Sequence, residues 1–465
     1  MKLTLSGPLS INIAQSLCQL YFPTEKFGNS ATTDPSASFD IAEVEGEIRA
    51  VVGISHGGKS ATAQATFPIS PLYTHKASVR IASGKAFLAA AQQLFGFAPP
   101  WGMLTGIRSS KVALDLLART SCEGETRRRL EADYHVTTHK ADLLMQTALH
   151  EMQVLHRHGE DTCALYVSVP FCPTRCSYCS FVSYATPRLL SLLPEYLVRL
   201  EEDIARMGEV IRRRGKRVSS VYIGGGTPGI LTAEQLARLL RSIRAVAPDT
   251  AELTLEAGRP DTITAEKMRA AREGGATRVC VNPQSTNDDT LRRIGRSHTA
   301  ADFFRAMEIV REAGIASVNA DIIAGLPGED SATFRQTVAD VLSTRPHSVT
   351  AHTFCVKKAS YEAEREQNLQ AAAQQVAKCV DYARETLVAE GLMPYYMYRQ
   401  KKTAGNLENV GFALAGHDCA YNAIIMSDAR EIYAVGAGAV TKTLEDGVVK
   451  RQFMPKYPYE YLGGK

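Results

Sequence analysis

From residue 163 onward, short β-branched runs alternate with amphipathic helical stretches, and this rhythm constrains the fold more than any other feature. Six runs are typical of strands: ALYVSV, SVYI, ELTLE, RVCV, SVNADII and SVTAH. Helical stretches follow the first five runs, at 196–211, 233–246, 265–273, 300–313 and 332–342. Strands joined by crossover helices predict an α/β fold with a parallel sheet curled into a partial (β/α)6 barrel. Ligand groups in such a barrel lie at the C-terminal ends of the strands.

The 465 residues are enough for two or three domains. Residues 1–160 are predicted to form an α+β domain, with a polar loop at 29–40 and helical periodicity from about residue 85. The partial barrel is expected over 161–358. A mostly helical C-terminal domain is expected over 359–465, with one glycine-rich strand, YAVGAGAVTK.

One motif favours a different class of function. GISHGGKS at 53–60 matches the phosphate-loop pattern G-x4-G-K-S of nucleotide hydrolases. A phosphate loop opens a helix, however, and the residues that follow here are small and β-branched and soon reach Pro68. We therefore interpret the stretch as a hairpin turn between the strands EIRAVVGIS and SATAQATFPI.

Charge and hydropathy exclude two classes of partner. The net charge of +4 is too small to indicate a nucleic-acid partner. No apolar run approaches the ~18 residues of a membrane span. The N-terminus shows no signal-peptide cleavage site, so a cytoplasmic location is expected.

Three of the ten cysteines lie within eight residues, in the loop PFCPTRCSYCSF that follows the first barrel strand. Cys172, Cys176 and Cys179 have the spacing C-x3-C-x2-C, which differs from the paired C-x2-C of structural zinc sites. Three thiolates on a four-iron cluster leave one iron open for a substrate or cosubstrate. Two alternatives remain: three buried thiols without a metal, and a zinc site completed by a remote fourth ligand.

Other polar and glycine residues follow the remaining strands. YIGGGTP places Gly224, Gly225 and Gly226 where backbone can approach a ligand closely and expose its N–H groups. Further strand-end residues are Glu256, Gln284, Arg296 and Asp321. Each alone could be a helix cap or a surface group, but four at the strand ends of one barrel indicate a binding site.

The cysteine loop, with Tyr178 just before the third cysteine, resembles that of the radical S-adenosylmethionine (SAM) superfamily. The resemblance implies a [4Fe–4S] cluster on Cys172, Cys176 and Cys179, whose open iron chelates the amino and carboxylate groups of SAM. One-electron reduction then releases a 5′-deoxyadenosyl radical. GGTP is similar to the motif that cradles the methionine amino group in this superfamily.

The chain is more closely similar to the oxygen-independent coproporphyrinogen III dehydrogenase family, through YVSVPFC, GGGTP, LE, the Q…R pair and NADIIAGLPG. PPWGMLTGIR, LEAGRPDTIT, VNPQSTNDDTL and YYMYRQKKTAGNLENVG resemble the HemZ branch. The resemblance implies one or two bound SAM molecules. One would be contacted by Tyr166, Gly225, Glu256 and Val440. A second would be contacted by Gly226, Thr227, Gln284, Arg296, Asp321 and Thr353.

The resemblance implies oxidative decarboxylation of two propionates of coproporphyrinogen III to vinyl groups. The radical would abstract a hydrogen from the β-carbon of each propionate, and a low-potential donor of the flavodoxin or ferredoxin type would supply electrons. Basic side chains should meet the four substrate carboxylates. Arg399, Lys401 and Lys402 are candidates, with ordinary surface charge as the alternative. His352 could contact substrate or be a hydrogen-bonded buried histidine.

The match departs from the family at one position. Well-known enzymes of this activity carry a further cysteine two residues after the third cluster ligand, where this chain has Phe181. A CSF ending is similar to related haem chaperones, which keep the cluster without being dehydrogenases. A haem chaperone is therefore the second hypothesis. Another radical reaction on a tetrapyrrole, such as anaerobic haem ring opening or methylation, is the third.

Overall fold

A computed structural model describes residues 1–23, 25–28, 34–179, 184–354, 366–400 and 403–463. The chain divides into two compact units. The first comprises Met1–Leu149, Cys355–Gln374 and Met397–Glu408. The second comprises His150–Phe354, Gln375–Tyr396 and Asn409–Lys465.

The strands are β1 (Lys2–Ser6), β2 (Ser36–Val44), β3 (Glu47–His56), β4 (Lys59–Pro68), β5 (Thr162–Val169), β6 (Arg217–Gly225), β7 (Glu252–Gly258), β8 (Arg278–Val281), β9 (Ser317–Ala324), β10 (Ser348–Thr353), β11 (Met393–Arg399), β12 (Glu408–Ala413), β13 (Glu431–Val435), β14 (Val440–Glu445) and β15 (Val448–Phe453). The helices are α1 (Ile11–Cys18), α2 (His75–Phe95), α3 (Ser109–Thr120), α4 (Glu123–Tyr134), α5 (Thr138–Arg157), α6 (Pro187–Leu190), α7 (Leu193–Arg213), α8 (Ala233–Val246), α9 (Ala265–Glu273), α10 (Asp288–Arg293), α11 (Ala300–Glu312), α12 (Ser331–Ser343), α13 (Glu366–Ala389), α14 (Ala420–Met426) and α15 (Pro458–Gly463). None of the helices in these described ranges combines the length and hydropathy needed to cross a bilayer.

In the first unit, a sheet of order β1-β2-β3-β4 packs one face against α2. The predicted hairpin is confirmed, because β3 and β4 pair in antiparallel fashion down to His56 and Lys59. Gly57 and Gly58 form the turn with φ of 59° and 76°, a region that glycine adopts without strain. GISHGGKS therefore lies on two strands and a turn, and the turn leads directly into β4, whereas a phosphate loop leads directly into a helix.

Two boundaries in this unit differ from expectation. Part of the expected polar loop is strand, because Ala37, Phe39 and Ile41 alternate inward on β2 while the small polar residues face outward. Helix α2 begins ten residues before the predicted start, where the Thr74 hydroxyl accepts a hydrogen bond from the Ala77 N–H at 3.2 Å.

The described strands of the second sheet have the order β11-β12-β10-β9-β8-β7-β6-β5-β13-β14-β15. Strands β5 to β10 are the six predicted runs, and all neighbouring pairs among them are parallel. The α/β fold class, with a partial (β/α)6 barrel, is confirmed. The glycine-rich run is two strands rather than one, because Gly436 and Gly438 have φ of 93° and 74° and turn the backbone between β13 and β14.

Candidate functional site

The cysteine loop leaves the C-terminal end of β5 and is held by backbone hydrogen bonds. The Cys172 N–H donates to the Tyr184 carbonyl at 3.0 Å, and the Ser177 N–H donates to the Ile294 carbonyl at 3.1 Å. Cys172 is buried, and Cys176 and Cys179 are half-buried. The Thr227 hydroxyl donates to the Cys172 Sγ at 3.3 Å, as a donor beside a thiolate would.

The donor set of the cysteine loop fits a four-iron cluster. No group of three or more His, Cys, Asp or Glu side chains in the described ranges is arranged to hold one metal ion. In a [4Fe–4S] cluster each thiolate binds a separate iron, so the sulfurs need not converge on one point. The donor set, three thiols on one strand-end loop with a hydroxyl beside the first, therefore fits a cluster with one open iron.

The glycine turn after β6 packs directly on this loop. The Gly226 N–H donates to the Val169 carbonyl at 2.9 Å, and the Thr227 N–H donates to the Phe171 carbonyl at 2.7 Å. A Cβ on Gly226 would lie 2.5 Å from the Phe171 carbonyl oxygen, and Gly225 has φ of 110°. Only glycine permits this approach, so the GGGTP segment and the cysteine loop form one rigid edge.

Two carboxyl groups and a histidine lie on three of the barrel strands: Glu256 on β7, Asp321 on β9 and His352 on β10. Asp321 on β9 accepts a hydrogen bond from the Asn319 side chain at 2.7 Å and lies 3.5 Å from the His352 Nε2. Burial would raise the pKa of Asp321, but hydrogen bonds from His352, Asn319 and Thr350 hold it below its ordinary value. Burial, with the nearby charge of Asp321, raises the pKa of Glu256 to about 7.

Three tyrosines stack beside Glu256, and two of them were not predicted as site residues. The ring of Tyr222 lies 6.3 Å from that of Tyr166 and 4.6 Å from that of Tyr421, and the Tyr222 hydroxyl donates to Glu256 Oε2 at 3.0 Å. Tyr222 lies two residues before the GGGTP motif, which is a signal that could have identified it. Tyr421 comes from α14, far along the sequence, and carries no local signal.

Arg296, Tyr178 and Gln284 form the next part of the site. The Arg296 Nε donates to the Tyr178 hydroxyl at 3.1 Å, a second guanidinium nitrogen donates to the Asn282 carbonyl at 2.7 Å, and the Cys176 thiol is near enough to interact. The Gln284 N–H donates to the Asp321 carbonyl at 2.9 Å. Gln284 has φ of 68°, and its buried Oε1 has no hydrogen-bond partner in the described part of the chain. A strained residue with an unsatisfied acceptor is typical of a ligand site.

Two further predicted residues, Thr353 and Val440, lie at strand ends. Thr353 ends β10, and its N–H donates to the Asn409 side chain at 2.9 Å. Val440 is half-buried at the start of β14.

Of the three basic residues proposed to meet the substrate carboxylates, the structure describes only Arg399. Arg399 is buried in the first unit, where its guanidinium donates to the carbonyls of Leu104 and Asn406 and lies 5.1 Å from the Trp101 ring. The surface-charge interpretation of Arg399 is therefore wrong, and two of its donor groups are already engaged within the unit. Lys401, Lys402 and Phe181 lie outside the described residues.

The chain is similar to known proteins of one superfamily. Residues 166–341 match the family model of the radical SAM superfamily. The chain is 33% identical over 384 residues to the oxygen-independent coproporphyrinogen-III oxidase-like protein HemZ of Bacillus subtilis, covering 81% of this chain and 76% of HemZ. It is 30% identical over 313 residues to the haem chaperone HemW of Haemophilus influenzae, covering 65% and 76% of the two chains.

Among solved structures, the Escherichia coli coproporphyrinogen III oxidase HemN, a radical SAM enzyme, shares the fold with a TM-score of 0.51 and 20% identity, over 67% of this chain and 71% of HemN. The chain therefore belongs to the radical SAM superfamily and, within it, to the oxygen-independent coproporphyrinogen III oxidase family on the HemZ-like branch, with a [4Fe–4S] cluster and SAM as its cofactors.

Proposed function

We propose that the chain is an oxygen-independent coproporphyrinogen III dehydrogenase. Each of two propionate side chains would give one hydrogen atom to the deoxyadenosyl radical and then lose one carbon dioxide, with one electron passing to an external electron acceptor, and would thereby become one of the two vinyl groups of protoporphyrinogen IX. The observation that carries the proposal is the array of cysteine, carboxylate and guanidinium groups at the strand ends, in a chain 33% identical to HemZ over most of its length.

Cys172, Cys176 and Cys179 are proposed to hold the cluster, with Thr227 donating its hydrogen bond to the first sulfur. These cysteines would hold the cluster where its electron could reduce SAM and so supply a 5′-deoxyadenosyl radical. The contact between Gly226 and Phe171 keeps the turn and the cysteine loop in fixed register, so that a ligand on the turn is held beside the cysteines.

The charges of the site complement those of SAM, which carries a carboxylate, an ammonium, a sulfonium and two ribose hydroxyls. Arg296 offers a guanidinium fork for a carboxylate, while Asp321 and Glu256 offer acceptors for cationic or hydroxyl groups. Gln284 adds a buried amide oxygen without a partner in the described ranges. The SAM contacts proposed from the resemblance comprise these four residues together with Tyr166, Tyr178, Gly225, Gly226, Thr227, Thr353 and Val440.

His352 is proposed as a substrate-facing group. It is half-buried at the end of β10, and Asp321 lies 3.5 Å from its Nε2. A carboxylate at this distance holds the imidazole ring in one orientation. An imidazole N–H held there can donate a hydrogen bond to a propionate carboxylate of the substrate.

An anaerobic turnover assay tests the proposal. The reconstituted protein is mixed with SAM, dithionite and coproporphyrinogen III, and the products are identified by mass spectrometry. We expect the loss of two carbon dioxide units together with 5′-deoxyadenosine. The Cys176→Ala variant should lose both products and the cluster absorbance, whereas Cys122→Ala, at an exposed thiol of the first unit, should keep them. An unchanged spectrum in Cys176→Ala would refute the cluster assignment.

Haem chaperone activity is the second candidate, because HemW proteins also match the chain at about 30% identity and because Phe181 stands where the dehydrogenases carry a cysteine. Stoichiometric haem binding without any decarboxylated product would favour it. Formation of 5′-deoxyadenosine with haem, but not with coproporphyrinogen III, would favour another radical reaction on a tetrapyrrole.

A further inference from the structure

The hairpin of β14 and β15 returns the chain to the edge of the sheet that carries the cysteine loop. Because β13 is parallel to β5, both end at this edge. Strand β14 then runs away from it and β15 runs back, pairing Phe453 with Val440. Phe453 and the residues after it therefore lie at the cluster edge, while the β14–β15 turn at Asp446 lies at the opposite edge.

The segment after β15 is joined to the cysteine loop by direct contacts. The Gly438 N–H donates to the Pro455 carbonyl at 2.8 Å, and the Tyr184 hydroxyl donates to the Lys456 carbonyl at 3.4 Å. The rings of Tyr184 and Tyr457 lie 5.8 Å apart. Tyr184 in turn accepts the Cys172 N–H. One ring contact and one backbone hydrogen bond thus separate Tyr457 from a proposed cluster ligand.

This segment presents aromatic side chains to solvent. Phe453 is 72% exposed and Tyr459 is 53% exposed. The rings of Tyr457 and Tyr459 stack at 5.3 Å, with the Lys456 ammonium 5.6 Å from the Tyr457 ring. Exposed aromatic residues in one patch are typical of protein interfaces, where they become the buried anchors. We define the rim patch as Arg451, Phe453, Lys456, Tyr457 and Tyr459.

The rim patch is positively charged. Arg451 and Lys456 are exposed, and the cysteine loop adds the exposed Arg175. The acid nearest in sequence, Glu460, accepts a hydrogen bond from the Tyr457 N–H at 3.3 Å. Glu445, which pairs with Lys450, lies towards the opposite end of the hairpin. Positive charge beside exposed aromatic rings complements an acidic protein surface.

We propose that the rim patch is the docking surface for an acidic protein that carries single electrons, of the flavodoxin or ferredoxin type. The inference rests on the proposed function, since it requires a cluster on Cys172, Cys176 and Cys179. In the step it serves, the carrier is oxidised by one electron and the cluster is reduced by one, and no bond is made or broken. Phe453 is too exposed to line a small-molecule pocket, which encloses its ligand, but its exposure suits a flat protein interface.

Charge reversal tests this surface in the full-length, reconstituted protein. The variants are Arg451→Glu, Lys456→Glu and Phe453→Ala, and the matched control is Arg213→Glu, an 81% exposed arginine at the end of α7. Stopped-flow absorbance measures the rate at which the cluster is reduced by a reduced acidic flavodoxin and, separately, by dithionite. Steering by opposite charges changes association rates by about 10-fold or more, and salt suppresses the effect.

We expect each charge reversal to slow reduction by flavodoxin about tenfold and to weaken its salt dependence, while reduction by dithionite stays at the wild-type rate. Phe453→Ala should slow reduction by flavodoxin without changing the salt dependence. Arg213→Glu should match the wild type.

An unchanged flavodoxin rate in all three patch variants would overturn the proposal. So would weaker binding of a tetracarboxylate porphyrin with an unchanged flavodoxin rate, because the patch would then contact substrate. A wild-type protein without a cluster spectrum would instead refute the proposed function, before any reductant is added.

Discussion

Glu256 combines two requirements that oppose each other within one residue. Its carboxyl lies in the barrel interior, accepts a hydrogen bond from Tyr222 and is near Asp321, and burial raises its pKa to about 7 from an ordinary value of 4.5. An anionic Glu256 is a good acceptor for cosubstrate hydroxyls but is costly to bury when no ligand is bound. Glu256 therefore strengthens binding of the cosubstrate but lowers the stability of the ligand-free protein.

Glu256→Gln should stabilise the ligand-free protein at alkaline pH. Between pH 4.5 and 7 the folded state keeps a proton on Glu256 that the unfolded state has lost, so the free energy of unfolding falls as pH rises through this window. In Glu256→Gln the free energy of unfolding does not fall in this way, because the amide does not titrate. The variant should match the wild type near pH 4.5 and exceed it by roughly 1–3 kcal/mol at pH 8. Urea unfolding followed by circular dichroism at several pH values measures the difference.

The control for this prediction is Glu266→Gln, at an exposed acid in the first turn of α9. Its pH dependence should equal that of the wild type. SAM affinity, measured by calorimetry, should move the other way and be weaker in Glu256→Gln. Parallel stability curves for wild type and Glu256→Gln between pH 4.5 and 8 would contradict the interpretation.

At the scale of secondary structure, α14 is positioned by the buried carboxylate of Glu252. This carboxylate accepts hydrogen bonds from the N–H groups of Ala420 at 2.9 Å and Tyr421 at 3.2 Å, and from the Ser220 hydroxyl at 2.8 Å. It also pairs with the buried guanidinium of Arg278 at 3.4 Å. A carboxylate at a helix N-terminus satisfies unpaired N–H groups and complements the helix dipole. Glu252 thereby holds Tyr421 in the tyrosine stack.

Replacing Glu252 should affect both the stability and the site. Glu252→Ala leaves the Arg278 charge buried without its carboxylate, and removing one partner of such a pair costs about 3–5 kcal/mol. The near-ultraviolet circular dichroism of the stacked tyrosines should weaken, because α14 loses its anchor. Thermal unfolding measures the first effect. The Glu252→Ala/Arg278→Met double variant should recover much of the lost stability but not the tyrosine signal. A double variant no more stable than Glu252→Ala would show that the pair does not account for the loss.

Local signals in the sequence predicted some elements closely and could not predict others. Helix α8 was predicted to the residue, because its apolar periodicity starts directly after a capping box between Thr232 and Gln235. Helix α2 is buried on several sides, so its first turns show no clear periodicity. The two edges of the second sheet, β11–β12 and β13–β15, depend on pairing between segments far apart in the chain. Tyr421 is in the site for the same reason, since only α14's tertiary anchor places it there.

At the scale of the whole molecule, the first unit is assembled from segments far apart in sequence. Two of them meet at a buried ion pair, in which the Lys140 ammonium donates to Glu408 Oε1 at 2.5 Å. The Trp101 indole donates to the other carboxylate oxygen at 2.6 Å. Hydrogen bonds from Lys140 and Trp101 hold the pKa of Glu408 below its ordinary value despite its burial. This carboxylate therefore joins the segment Met397–Glu408 to Met1–Leu149.

Glu408→Gln should destabilise the first unit more than the second. The change keeps the shape of the side chain but removes the negative charge beside a buried ammonium, at a cost of about 3–5 kcal/mol. Hydrogen exchange followed by mass spectrometry should show faster exchange in β1–β4, α2 and residues 403–408, while β5 to β10 keep their wild-type protection. Lys140→Met added to Glu408→Gln should restore most of the protection, because no buried charge then remains at the pair. The control is Glu43→Gln, at an exposed acid of β2. It should change the free energy of opening measured by exchange by less than about 0.5 kcal/mol. An equal rise in exchange across β5 to β10 would show that the two units unfold together and would contradict this prediction.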